Sequence, residues 1–101
     1  MTDSYRVNYT YYAADQLQEI FNYIEKDSPE NAVRMIGRII DAIESLSLFP
    51  GRYGLARNIE GIGVEVHSIP VRPYLIRYHI NRSSRVVTVL SIRHGARRPG
   101  L

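Results

Sequence analysis

The chain contains no cysteine. That excludes disulfides and thiolate metal sites and makes a reducing compartment, the cytoplasm, the expected location. No run is long or apolar enough to span a membrane, and the start of the chain lacks a signal-peptide pattern, so no membrane contact is expected. Internal repeats and low-complexity segments are absent as well. The three histidines, His67, His79 and His94, are scattered without ligand spacing, so neither a metal nor a cofactor is expected. At 101 residues the chain is expected to form one domain, 1–101, with a modest core.

Two further absences are positional. No lysine follows Lys26 and no acidic residue follows Glu65. All ten acidic side chains lie in residues 1–65, whereas residues 66–101 carry only cations: Arg72, Arg77, Arg82, Arg85, Arg93, Arg97 and Arg98. Arginine suits bidentate binding of carboxylate or phosphate and stacking. Either this is a solvated basic face, or it is a surface for an anionic partner, nucleic acid or acidic protein.

What the chain does contain reads in order. Tyr5, Val7 and Tyr9 alternate with polar residues as a short strand. Thr10 is placed to cap a helix in which Leu17, Ile20, Phe21 and Ile24 form one apolar stripe, ending near Lys26–Asp27. Ser28–Pro29 starts a second helix, whose period runs from Ala32 through Val33, Ile36, Ile39, Ile40 and Ile43 to Leu46, with Pro50–Gly51 as its stop. Gly37 within it would let another element approach closely. The two helices should form a hairpin covering one face of a sheet. Residues 51–63, with four glycines and little periodicity, read as a loop. A strand starting at Val64 is broken by Pro70 and Pro73. Tyr74–Ile80 and Val86–Ile92, linked by the turn formers Asn81–Ser84, read as an antiparallel hairpin. The second of these strands is nearly all apolar, so both its faces should be covered. The expected order is β-α-α-β-β-β, a helical hairpin packed on a small, mainly antiparallel sheet of the α+β class.

The hairpin ends in Arg93, His94, Gly95, Ala96, Arg97 and Arg98, a rigid element delivering cations to a surface. Arg72, Arg77, Arg93, His94, Arg97 and Arg98 are the candidate binding residues. His94 is either a strand-ending histidine with local hydrogen bonds or a general base. Arg77 is either a solvent-face cation or part of a phosphate clamp. Tyr74 and Tyr78 share a face and belong to the core more readily than to a stacking platform. Glu65 and His67 share parity and could pair, a weak catalytic signal.

Together, Ala14-Asp15-Gln16-Leu17 with Ile20 and Tyr23-Ile24, Leu46 with Phe49-Pro50-Gly51, Pro73-Tyr74-Leu75-Ile76 with Tyr78, and Ile92-Arg93-His94-Gly95-Ala96-Arg97 with Pro99 resemble the RelE/ParE superfamily of bacterial toxins. The resemblance spans essentially the whole chain, and the closing His-Gly-Ala-Arg resembles the ParE branch. It implies the β-α-α-β-β-β fold and a small, basic, growth-arresting toxin of a type II toxin–antitoxin system, of the plasmid-stabilisation kind. A cognate antitoxin, ParD-like or RelB-like, would wrap it with a disordered acidic segment, and operator DNA would be met only through that antitoxin. ParE-like members poison DNA gyrase; RelE-like members cleave mRNA in the ribosomal A site.

RelE-like sites use lysines on the strand before the hairpin, an arginine on its first strand and another after its second. Arg97 matches the last, but Leu75 stands at the hairpin arginine, and Val66 and Ser68 stand near the lysines. These departures favour inhibition of gyrase by binding, with no catalytic residue of its own. The alternatives are a nuclease using His94, Arg77 and Arg97, or a non-toxic antitoxin-binding or autoregulatory member.

Overall fold

The computed structural model describes residues 4–51, 55–59 and 64–95. The first strand, β1 (Arg6–Tyr9), leads through Thr10 into helix α1 (Tyr11–Glu25). Thr10 has extended backbone, and its hydroxyl accepts the Ala13 N–H at 3.0 Å, so the cap forms where the sequence places it. Helix α2 (Pro29–Glu44) starts with Ser28 Oγ accepting the Asn31 N–H at 3.2 Å and proline in its first turn.

The end of α2 departs from expectation. At Ser45–Ser47 the helix tightens into a 3-10 turn, short of the Pro50–Gly51 stop. Ser45 Oγ donates back to Ala42 O at 2.6 Å, a local bond that competes with helical continuation. Gly37 also differs, since a Cβ built there would meet nothing within 4 Å. No element uses its missing side chain.

The remaining strands are β2 (Leu55–Ile59), β3 (Val64–Val71), β4 (Tyr74–Asn81) and β5 (Val86–His94), and the sheet order is β1-β5-β4-β3-β2. β1 runs parallel to β5, and every other pairing is antiparallel. The fold is thus the expected α+β class, with one strand more than the sequence pattern suggests. β2 lies within the stretch 51–63 read as a loop. Its backbone pairs with β3 with an irregularity between Leu55 and Arg57, and main-chain pairing of that kind leaves no side-chain period to read. Likewise Pro70 does not break β3, and pairs with Leu75 of β4. It lies beyond His67, where β2's pairing ends among the described residues. Its missing N–H therefore has no ladder bond to lose on that side.

The core forms between the helices and one face of the sheet. Ala13 and Ile20 of α1, and Ile39, Ile43 and Leu46 beside them, pack on Ile69, Ile76, Tyr78, Ile80, Val87, Val89 and Ile92. Each fully buried isoleucine contributes about 1.5–3 kcal/mol. β5 carries a bulge: Arg77 faces Ser91 and the next β4 residue, Tyr78, faces Val89, so Leu90 is the extra residue. This shifts the inward set from Val87 and Val89 to Ile92, the parity change that no periodicity could supply. The expectation that both faces of β5 are covered is corrected. The helices lie on one face only, and Val86, Thr88 and Ser91 on the other remain partly exposed.

Candidate functional site

Beyond Val89, β5 outruns β1, and α1 takes over the strand's edge with side chains. Thr10 Oγ1 donates to Leu90 O at 3.2 Å, and Gln16 Oε1 accepts the Ile92 N–H at 2.7 Å. Between α1, α2 and this strand end opens a groove of about 810 Å³. Ile20, Ile24, Met35 and Ile92 line it with apolar surface, and Tyr12, Tyr23, Arg93 and His94 line it with polar tips.

The cationic rim is held in place. Arg93 Nη2 donates to Tyr12 Oη at 3.1 Å, and its guanidinium lies 5.7 Å from the centre of that ring, a cation–π arrangement. His94 meets Tyr74 edge to face, ring centres 5.6 Å apart. Gly95 N–H donates to Pro73 O at 2.7 Å, and a Cβ on Gly95 would stand 3.2 Å from that oxygen. Close approach, not a left-handed backbone, is what calls for glycine at this position.

The predicted residues do not all converge here. Arg93 and His94 meet at the groove with Tyr12 and Tyr74. Arg72 is exposed in the β3–β4 turn. Arg77 is exposed and sits opposite Ser68 and Ser91. Because Tyr74, Ile76 and Tyr78 face the helices, Arg77 faces away from them, while His94, paired with Tyr74, belongs to the helix side. Leu75, opposite Arg93, and Ser68 share the open face with Arg77. Tyr74 and Tyr78 are core residues. Arg97 and Arg98 lie outside the described residues.

A second polar cluster lies at the other end of the sheet. Arg82 Nε donates to Glu65 Oε2 at 2.5 Å, Glu65 Oε1 lies 3.2 Å from His67 Nε2, and His67 stacks on Tyr78 at 5.5 Å. Tyr78 Oη in turn donates to Pro50 O at 2.6 Å. The hydrogen bond from Arg82 holds the Glu65 carboxyl below its ordinary range; burial opposes this and His67 assists it. The same bond pushes Arg82 up. Parity in the sequence suggests the Glu65–His67 pair. Arg82, read only as part of a polar turn, is the member that sequence reasoning misses, because the fold alone brings the β4–β5 turn over β3. His67 is 4% exposed, so this cluster is a latch rather than a place for substrate. Gln16 stands in the Ala14-Asp15-Gln16-Leu17 motif, but nothing in the sequence points to its bond with Ile92. Among the described residues no group of three metal-ligating side chains comes together, and no helix is long and apolar enough to cross a membrane.

Residues 7–99 match the family described as the ParE toxin of the type II toxin–antitoxin system parDE. The chain is similar to the toxin RelE2 of Caulobacter vibrioides, 35% identical over 92 residues covering 91% of this chain and 97% of that protein. It is 34% identical over 87 residues to Y4kP of Sinorhizobium fredii, which is named as a toxin, covering 84% of this chain and 85% of that one. The fold superposes on the archaeal RelE–RelB complex of Pyrococcus horikoshii with a TM-score of 0.69 at 14% identity, over 94% of this chain and 99% of that one.

Proposed function

Because the chain belongs to the ParE toxin family of type II toxin–antitoxin systems, we propose that it arrests growth by binding DNA gyrase. A cognate acidic antitoxin holds it inactive. One observation carries binding over cleavage: Arg77 and His94 lie on opposite faces of the sheet. A ribonuclease needs a proton acceptor and phosphate-binding cations around one bond, and the strand pairing does not bring Arg77 beside His94. The absence of lysine after Lys26 and the presence of Leu75 on the open face support the same reading. The antitoxin is expected to place carboxylates over the acid-free, arginine-bearing part of the chain.

Purified protein should inhibit supercoiling by gyrase in vitro and leave a defined message intact on translating ribosomes. Ribosome-dependent cleavage abolished by Arg97→Ala would overturn the reading and move the protein to the nuclease branch, the second reading that its similarity to RelE2 favours.

A further inference from the structure

On the β1 side of the β4–β5 turn, the starts of β1 and β5 border an open cleft of about 650 Å³, lined by Ser4, Tyr5, Arg6, Ser84, Arg85 and Val86. Ligand clefts typically measure about 300–1,000 Å³. The lining holds two arginines and two serines and no carboxylate. Main-chain bonds fix its walls, with Arg6 N–H donating to Arg85 O at 2.9 Å and Tyr5 N–H to Ser47 O at 2.7 Å. Arg82, which also bonds to the Tyr5 side chain, already has its charge matched by Glu65. Arg6 forms no ion pair with a carboxylate among the described residues. Arg85 has a φ of 57°, in the left-handed region that glycine and asparagine enter more easily. A glycine would make this turn with less strain. What arginine adds there is an exposed guanidinium in the lining of the cleft.

We infer that this cleft binds a phosphate group, with Arg6 and Arg85 as its cations and the Ser4 and Ser84 hydroxyls as further donors. A phosphate offers acceptor oxygens in more than one direction, so both guanidinium groups can engage it, whereas a carboxylate presents a single planar edge. A free nucleotide and the phosphodiester backbone of a nucleic acid share this chemistry. The cleft lies at the opposite end of β5 from Arg93 and His94. It is therefore separate from the groove, and the inference holds whether the toxin's target is gyrase or the ribosome.

The test titrates the full ¹⁵N-labelled chain in turn with inorganic phosphate, AMP and a short DNA duplex, reading the amides of Tyr5, Arg6, Ser84 and Arg85. Saturable shifts at these positions with AMP and not the duplex would support a nucleotide site. Shifts with the duplex and not AMP, weakening steeply as salt is raised, would support a backbone site. Arg6→Gln should weaken whichever probe binds by about tenfold or more, since a charge-assisted bond is lost. Arg85→Gly should weaken it equally while leaving the melting temperature unchanged or higher, because glycine relieves the left-handed strain. Arg85→Lys, which keeps the charge, should retain part of the affinity. If Arg85→Gly does not fold, Arg6→Gln alone decides. The inference is overturned if none of the three probes shifts these amides, or if the shifts persist undiminished in Arg6→Gln. A lower melting temperature with unchanged affinity on Arg85→Gly would also overturn it, and would assign that guanidinium to the fold.

Discussion

The two ends of the sheet are built on opposite plans. At the β4–β5 turn, Arg82, Glu65, His67 and Tyr78 form a closed chain of contacts that runs to the carbonyl of Pro50. At the other end, Tyr74, Ile92, Arg93 and His94 border an open groove, and one backbone donor is capped by a borrowed amide. Both ends carry arginine and histidine beside tyrosine, so composition does not separate them. What separates them is the partner. Arg82 has a carboxylate within the chain, whereas Arg93 meets the Tyr12 hydroxyl and forms no ion pair with a carboxylate among the described residues. Paired charge makes a latch; charge without an internal counterion is available to an external anion.

The sharpest way to break the contrast is to open the closed end. Tyr78 is fully buried, stacks on His67 and donates to Pro50 O. Tyr78→Ala removes the ring and should cost about 3–5 kcal/mol. Tyr78→Phe keeps the ring and orphans the carbonyl, which should cost about 1–3 kcal/mol. Chemical denaturation measures both. Equal losses would mean that the hydroxyl, not the packing, carries the position, and a harmless Tyr78→Phe would remove the link to Pro50 from the latch.

How much of this was legible beforehand follows from which residues carried a pattern. The cap at Thr10, the restart at Ser28–Pro29 and the stripe of Leu17, Ile20 and Ile24 are local, and a local pattern survives into structure. β2 was not legible because its order comes from main-chain pairing to β3. The bulge at Leu90 was not legible because one extra residue against Arg77 and Tyr78 depends on both strands at once. The same limit governs the site. Arg93 and His94, adjacent in the chain, were legible as a pair at a strand end. Gln16 with Ile92, and Arg82 with Glu65, join residues far apart in sequence, and only the fold introduces them.

A gentler change tests whether the latch works through charge. The hydrogen bond from Arg82 holds the Glu65 carboxyl below its ordinary value of 4.5. A carboxylate whose pKa is lower in the folded state contributes stability that is fully present above 4.5 and is lost as the pH falls through the folded value. Half of the pair is open to water, Arg82 being 52% exposed, so solvent screening limits the contribution to about 1 kcal/mol or less. Stability curves for the wild type and Glu65→Gln should therefore run parallel near neutral pH and converge on acidification below 4.5. Curves that stay parallel to the acid limit would show that Glu65 contributes by packing alone.

The smallest effect on stability, with the largest expected effect on activity, concerns the open end. Arg97 and Arg98 follow the groove's Arg93 and His94 by only a few residues, in a part of the chain with no acid of its own. Truncation of surface arginines typically changes stability by about 0.5 kcal/mol or less, while loss of a charged hydrogen bond across an interface costs about 2–5 kcal/mol, more than tenfold in affinity. Arg97→Ala combined with Arg98→Ala should therefore abolish growth arrest on induction with an unchanged melting temperature. If the double variant remains fully toxic, the active surface lies away from this cluster, and the exposed tyrosines of α1, Tyr11 and Tyr23, become the next surface to test. If the variant unfolds instead, the two arginines serve the fold, and the open end is less open than the groove makes it.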